Sequence, residues 1–348
     1  MDTKSKIKFV VIGLGQAGKR HADLIRKNPE SELVALCDTK VKSEFGSIDF
    51  GVPLFYSMNE LFNSTIDFDV VSICTPNGLH AAHCLQALEN KKHVIIEKPM
   101  TLNVADGEKI IHKASQVSRQ VFCVMQNRYS PPSVWIKELM DQKILGKIFM
   151  IQLNCYWNRD ERYYTGKSWK GTAEHDGGTL FTQFSHFIDM VFWLFGDISD
   201  IHARFADFNH QRTTAFEDSG LISFRLVNGG LGSFNYSTSI WDQNFESSMA
   251  IIAENGTIKI SGQYMNEVTY CHVKNYVMPE LPPVSPAIDY GTYKGSAANH
   301  RYVYENVIDT LKGRTKATTN AGEGLKVVDM IERIYSLRKL KKQEVVSQ

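Results

Sequence analysis

Few folds accept the order in which this chain begins: a strand, a glycine-rich turn and a helix, Ile7-Lys-Phe-Val-Val-Ile-Gly-Leu-Gly-Gln-Ala-Gly-Lys19. The run Phe9 to Ile12 is rich in β-branched residues and ends in Gly13, Gly15 and Gly18. Gly13 permits a tight turn, Gly15 lets the backbone approach a pyrophosphate, and Gly18 lets helix and strand pack closely. The helix N-terminus then offers unpaired N–H groups and the positive end of its dipole to phosphates. Alone, such a triplet is a weak signal. It gains weight from a second strand, Glu32-Leu-Val-Ala-Leu-Cys37, which ends at Asp38, twenty residues beyond Gly18. A carboxylate there accepts both ribose hydroxyls of NAD and repels the 2′-phosphate of NADP. Bound NAD is therefore favoured over a purely structural turn.

With 348 residues the chain has room for two domains with sizeable cores. A hydrophobic fraction of 43% and a charged fraction of 22% are ordinary for a globular protein. A net charge of +1 argues against a nucleic-acid footprint. No signal-peptide pattern precedes the first strand and no apolar run reaches bilayer length, so a cytoplasmic protein without a membrane partner is expected. The six scattered cysteines, with no Cys-x-x-Cys pair, read as reduced core residues.

Strand and helix patterns alternate up to about residue 127 at the spacing of parallel βαβ units. Phe68 to Cys74, His93 to Glu97 and Val121 to Met125 read as buried strands, and His80 to Asn90 and Val104 to Ser118 as helices. The expected first domain, 1–127, is a doubly wound parallel sheet of Rossmann type. Ligands in such sheets sit at the carboxyl ends of the strands, which puts the glycine turn, Asp38, Thr75 to Asn77 and Glu97 to Pro99 on one rim. From 128 to 348 the pattern changes. Ile148 to Trp157, Ser199 to Phe208, Ser219 to Val227 and Leu231 to Ile240 read as long strands, with Asn228-Gly229-Gly230 as a hairpin turn. A further hairpin crosses Glu254-Asn-Gly256, and Ala298 to Lys312 and Asn320 to Leu340 read as closing helices. This predicts an α+β domain with a large, open-faced, mostly antiparallel sheet. Aromatics on both sides of segments such as Phe224-Arg-Leu-Val and Phe234-Asn-Tyr-Ser point to burial of the open face against another subunit.

Three clusters could carry chemistry. Glu97-Lys98-Pro99 follows a buried strand, and Lys98 suits a hydride-transfer site because it can bond the reacting hydroxyl and move its proton; a surface lysine opening a loop is the bland alternative. Asp176-Gly-Gly-Thr-Leu-Phe-Thr-Gln-Phe-Ser-His-Phe-Ile-Asp189 leads into an apolar helix on which Thr182, His186 and Asp189 share one face. His186 is either a base near neutral pH or a core histidine held by Asp189. A metal site from His175, Asp176, His186 and Asp189 has no familiar ligand spacing, and no metal is expected. Trp157-Asn158-Arg159-Asp-Glu-Arg162-Tyr163-Tyr164, extended by Trp169-Lys170-Gly171-Thr172, could grip an anion through guanidinium contacts and ring stacking. By spacing alone, His80 and His83 read as a solvated helix face.

Gly13-x-Gly15-x-x-Gly18, Thr75-Pro76-Asn77-x-x-His80, Glu97-Lys98-Pro99 and Gly177-Gly178 with His186-x-x-Asp189 together resemble the Gfo/Idh/MocA oxidoreductase family over nearly the whole chain. The resemblance implies a Rossmann domain, a second domain whose open sheet makes a homodimer or homotetramer, and hydride transfer on sugars or related alcohols. It makes Lys98 and His186 the catalytic pair. Gly13, Leu14, Gly15, Gln16, Ala17, Gly18, Asp38, Thr75, Pro76, Asn77, His80, Glu97, Lys98 and Gln126 become candidates for holding NAD. Lys98, Arg128, Tyr129, Arg159, Arg162, Tyr163, Tyr164, Trp169, Thr182, Gln183 and His186 become candidates for the substrate.

One departure stands out: many members carry an aspartate four residues before the histidine, where this chain has Thr182. The segments 158–164, 169–172 and 176–186 look most like bacterial dehydrogenases that oxidise the 3-hydroxyl of UDP-N-acetyl-glucosaminuronic acid for surface polysaccharides. Such a substrate would give Arg159, Arg162 and Lys167 anionic groups to bind. Members of that group can retain the cofactor and reoxidise it with 2-oxoglutarate. The alternatives are a dehydrogenase for a free sugar or inositol, and a non-catalytic NAD-binding regulator, which would need neither Lys98 nor His186.

Overall fold

The computed structural model describes residues 5–41, 51–164, 169–291 and 293–338. Six strands form the first sheet: β1 Ile7–Ile12, β2 Ser31–Cys37, β3 Leu54–Phe55, β4 Val70–Ile73, β5 His93–Ile96 and β6 Val121–Cys123. Their order is β3-β2-β1-β4-β5-β6 and every neighbouring pair is parallel. Helices α1 (Gln16–Lys27), α2 (Met58–Asn63), α3 (His80–Glu89) and α4 (Val104–Gln116) supply the crossovers. Strands buried on both faces need unbroken apolar runs, and Val10, Val11, Val70, Val71, Val94 and Ile95 are fully buried. Strand order reverses between β1 and β4, the place where a crevice opens in such sheets. The two-residue β3 had no pattern in the sequence to announce it.

The glycine turn is built as its spacing requires. Gly13 has φ +86°, and a Cβ there would lie 2.7 Å from the carbonyl oxygen of Cys74. A Cβ on Gly18 would lie 1.8 Å from the carbonyl oxygen of Gly13, so helix and turn touch backbone to backbone. At Gly15 a Cβ would meet no atom within 4 Å. No protein packing among the described residues forbids a side chain there; the space above the turn stays open.

The second sheet contains β7 (Ile148–Tyr156), β8 (Ile198–Ala206), β9 (Ser219–Leu226), β10 (Leu231–Ser237), β11 (Glu246–Ala253), β12 (Gly256–Ser261) and β13 (Glu267–Val273) in the order β13-β12-β11-β7-β10-β9-β8. The central pair β7 and β10 is parallel and the others are antiparallel. Gly229 and Gly230, both at positive φ, turn the β9–β10 hairpin. Helix α5 (Pro131–Asp141) precedes β7, while α6 (Glu161–Tyr164), α7 (Thr179–Thr182) and α8 (Ser185–Phe195) lie between β7 and β8. Pro131 and Pro132 suit the start of α5 because its first N–H groups have no intrahelical partner.

One expectation fails here. Phe224, Leu226, Phe234 and Tyr236 all face inward, packed with Phe184, Phe187 and Ile188, because alternate residues of a strand share a face. The open face carries Ser223, Arg225, Ser233 and Asn235 instead. Its exposed apolar residues include Met150, Leu221, Leu231 and Ile252, with Tyr270 beside Lys259.

A short hairpin, β14 (Ala287–Asp289) with β15 (Lys294–Ala297), leads into α9 (His300–Leu311) and α10 (Ala321–Tyr335). The chain then returns to its beginning. Val303, Tyr304, Val307 and Ile308 of α9 share one core with Phe9, Val11, Ala22 and Ile25, and α10 packs on α4 and α8. Cys37, Cys74, Cys84, Cys123 and Cys155 are buried free thiols. Among the described residues no helix is long and apolar enough to cross a membrane.

The glycines separate two kinds of cost. Gly18→Ala should destabilise the fold by about 2 kcal/mol or more, since backbone must move. Gly15→Ala should leave the thermal midpoint nearly unchanged yet weaken dinucleotide binding, and calorimetry with a binding titration on both variants checks the contrast.

Candidate active site

A cleft of about 900 Å³ runs along the carboxyl ends of the first sheet and under the helices of the second unit. Gly13, Leu14, Gly15, Gln16 and Ala17 line it at one end with Asp38. Gly18 lies behind the turn. The Asp38 carboxylate accepts from the Leu14 N–H (2.6 Å) and the Lys40 N–H (2.9 Å), which fixes it at the end of β2 beside the glycines. Thr75, Pro76 and Asn77 continue the wall after β4. His80 is buried rather than solvated, and its ring nitrogens lie 2.7 Å from the Pro99 carbonyl oxygen and 2.9 Å from that of Thr75. It ties together the loops after β4 and β5.

Lys98 and His186 line the same cleft. The Lys98 Nζ donates to the Thr182 carbonyl at 2.5 Å. Burial pushes its ammonium pKa down; Glu97 and Asp176 oppose this and Arg159 adds to it. The Glu97 carboxylate accepts from the Lys98 N–H (3.1 Å), lies 3.0 Å from His21 Nε2, and lies 3.6 Å from His300 Nε2. Burial would raise its pKa, but His21 and His300 outweigh it and hold Glu97 well below the usual range.

The expected helix through Thr182 and His186 is broken at Gln183 and Phe184, between α7 and α8. Thr182 therefore leaves the face that His186 and Asp189 share. That face meets the short turn Gln126–Tyr129: Gln126 Nε2 donates to His186 Nε2 at 3.1 Å, and Arg128 forks onto Asp189 at 2.9 and 2.6 Å. Asp189 thus holds the helix through Arg128 and does not hold the imidazole. With Nε2 accepting, the ring proton sits on Nδ1, which has no partner among the described residues. Burial, then the nearby Lys98, keep His186 neutral, its pKa well below the ordinary value.

Arg159 is 1% exposed and caught between aromatic rings, 4.9 Å from the centres of Trp157 and Tyr293 and 5.3 Å from Tyr163. It donates to Gln183 Oε1, the Asn158 carbonyl, Asn244 Oδ1 and the Lys294 carbonyl. Among the described residues no carboxylate lies within ion-pair distance of it. Its solvation is replaced by neutral oxygens and ring faces, so the wall keeps a net positive charge that an anion can meet. Lys170 sits 3.7 Å above the Tyr163 ring on the same wall, its pKa lowered to about 8 by burial and by Arg159. Tyr163, Trp169 and Gln183 also line the cleft.

Four expected substrate contacts lie elsewhere. Arg128 is fully buried by Asp189 and Glu323, so its charge is already compensated. Tyr129 stacks on Tyr302, and Tyr164 packs edge-on to Tyr163 and His210. Arg162 points outward to Asp160 and Asp242. Lys167 lies outside the described residues. Conversely, Tyr290, Tyr293, Ser296 and His300 line the cleft although nothing in their local pattern marked them; the aromatic turn around Tyr290 and Tyr293 was the one available signal. Among the described residues the groups close enough to share an ion are His21–Glu97–His300 and Asp207–His210–Asp218, and the set of His175, Asp176, His186 and Asp189 is not one of them.

The residues present fit a dinucleotide: the space a Cβ would fill at Gly15 is open, and the fixed Asp38 carboxylate stands beside it. Residues 7–125 match the oxidoreductase family with an NAD-binding Rossmann fold, and residues 134–259 match the GFO/IDH/MocA C-terminal domain. The chain belongs to the GFO/IDH/MocA oxidoreductase family, and its first domain is that family's NAD-binding domain. Among solved structures it is similar to the WlbA dehydrogenase of Chromobacterium violaceum, determined with NADH and UDP-GlcNAcA. The identity is 28%, the TM-score 0.85, and the coverage 96% of this chain and 94% of that one. Curated relatives match over less of their length. An uncharacterised oxidoreductase of Synechocystis, sll0816, is 29% identical across 65% of this chain and 64% of its own. D-glucoside 3-dehydrogenase of Escherichia coli is 25% identical across 56% and 55%.

Asp38→Ala should weaken NAD binding and narrow the preference for NAD over NADP, as read by titrating both cofactors. Unchanged affinity for the two would show that Asp38 only braces Leu14 and Lys40.

Proposed function

We propose that the protein oxidises the 3-hydroxyl of an acidic nucleotide sugar, UDP-N-acetyl-glucosaminuronic acid, with NAD, in the synthesis of a surface-polysaccharide sugar. The observation that carries this reading is the convergence of Lys98, His186 and the uncompensated Arg159 on one cleft with the glycine turn. The ligands of the C. violaceum structure support the substrate, because a uronate and a diphosphate are the anions such a cleft lacks.

Bound NAD supplies the hydride acceptor. Gly13 to Ala17 and Asp38 hold its pyrophosphate and ribose. Lys98 Nζ, oriented by the Thr182 carbonyl, takes the proton of the substrate hydroxyl. Burial lowers the Lys98 pKa and so favours the neutral amine that can accept a proton, while Glu97 and Asp176 favour the ammonium that results. His186 has burial and Lys98 holding it neutral, with Glu97 alone opposing. His186 donates from Nδ1 to the same oxygen and relieves the charge that develops there. Arg159 and Lys170 anchor the anion, which keeps the reacting carbon in place. Exposed Met150, Leu221, Leu231 and Ile252 support assembly of a homodimer or homotetramer across the open sheet face.

Lys98→Met should lose turnover by ~10²–10⁴-fold while binding NAD normally, because the proton has no acceptor. Near-normal turnover in that variant removes the mechanism. Purified protein with NAD should generate NADH from UDP-N-acetyl-glucosaminuronic acid and far more slowly from its neutral N-acetylglucosamine counterpart or from free glucosides. Arg159→Gln should raise KM for the acidic sugar by ~10–100-fold, the worth of a lost charged hydrogen bond. Preference for a free glucoside would sink the substrate assignment and leave the dehydrogenase.

A further inference from the structure

We infer that Asp176 is the positioning carboxylate of this site and acts on Lys98 through Thr182. The inference rests on Lys98 as proton acceptor. The family resemblance leads one to expect an acid four residues before the histidine, and this chain has the hydroxyl of Thr182 there. In the structure an acid has come to that hydroxyl from elsewhere. Thr182 Oγ1 donates to Asp176 Oδ1 and accepts from Asn77 Nδ2 at 2.7 Å, while Asn77 Nδ2 also reaches the Asp176 carbonyl at 3.0 Å. The Gly171 N–H holds Asp176 Oδ2 at 2.8 Å. Both carboxylate oxygens are therefore pinned, and Oδ1 meets the residue whose carbonyl holds Lys98 Nζ.

Asp176 is 1% exposed, and among the described residues it has no cation within ion-pair distance. The charged groups around it are Lys98 and Lys170, with Tyr163 and Tyr164 beside them; those around Lys98 are Glu97, Asp176 and Arg159, with His186 alongside. While Lys98 is neutral, Asp176 is a buried charge met by the Thr182 and Gly171 hydrogen bonds and by the field of Lys170. When Lys98 gains the substrate proton, the two become a pair in a medium of low effective dielectric, so the carboxylate favours the state after proton transfer. Its own pKa, raised to about 6 by burial against the pull of Thr182, Gly171 and Lys98, leaves it ionised at neutral pH.

Asp176→Asn keeps an acceptor for Thr182 but removes the charge. Losing that charge lowers the Lys98 pKa, so the acid limb of the kcat–pH profile should move to lower pH by about one unit or more. The midpoint for labelling Lys98 with an amine-reactive reagent, read by mass spectrometry, should move the same way. Turnover should fall ~10-fold or more with KM and NAD affinity nearly unchanged. Thr182→Val, which keeps the carbonyl bond to Lys98 but cuts the link to Asp176, should lower kcat in the same way and serves if the first variant does not fold. A wild-type pH profile and labelling midpoint in Asp176→Asn, or wild-type kcat in Thr182→Val, overturns the inference. Retained turnover in Lys98→Met would instead overturn the reading beneath it.

Discussion

The bond from Lys98 Nζ to the Thr182 carbonyl joins residues 84 positions apart, one at the end of β5 and one at the end of α7. A buried amine needs an acceptor, and leaving it without one costs more than the bond itself contributes. The second unit must therefore bring that carbonyl to the rim of the first sheet. Two glycines make it possible. Gly177 at φ +84° and Gly178 at φ +133° turn the chain so that α7 can start immediately beneath the cleft. A Cβ at Gly177 would sit 2.4 Å from Leu102 Cδ2, and one at Gly178 would sit 2.5 Å from the Tyr335 hydroxyl oxygen.

The second half of the constellation is held separately. The turn Gln126–Tyr129 follows β6 and meets α8 one helical turn at a time, Gln126 against His186 and Arg128 against Asp189. The buried Arg128–Asp189 fork fixes the helix, and the weaker amide contact sets only the ring. Lys98 and His186 thus reach one cleft along independent routes.

Local physics was legible in the sequence where it acts within a few residues. The strand–glycine–helix opening, the buried β-branched strands and the Asn228–Gly230 hairpin all stand as their patterns require. What failed was pairing across the chain. Arg128 looked free to meet a substrate because nothing local says that Asp189 and Glu323 will claim it. Phe224 and Phe234 seemed to put aromatics on an open face, because the phase of each strand is set by its neighbours. Above all, Thr182, four residues before His186, looked like the loss of an acid. Asp176 lies six residues from Thr182 in sequence, yet the bend at Gly177 and Gly178 folds its carboxylate back onto the hydroxyl. The closing helix α9 likewise gave no sign that its apolar side would complete the core around Phe9.

A crystal structure with NAD and UDP-N-acetyl-glucosaminuronic acid tests the central claim most directly. The account requires a sugar hydroxyl within about 2.6–3.2 Å of Lys98 Nζ and within reach of His186, with a substrate anion beside Arg159. A sugar bound with its hydroxyls turned away from Lys98, or with its anionic groups outside the Arg159 wall, would contradict it.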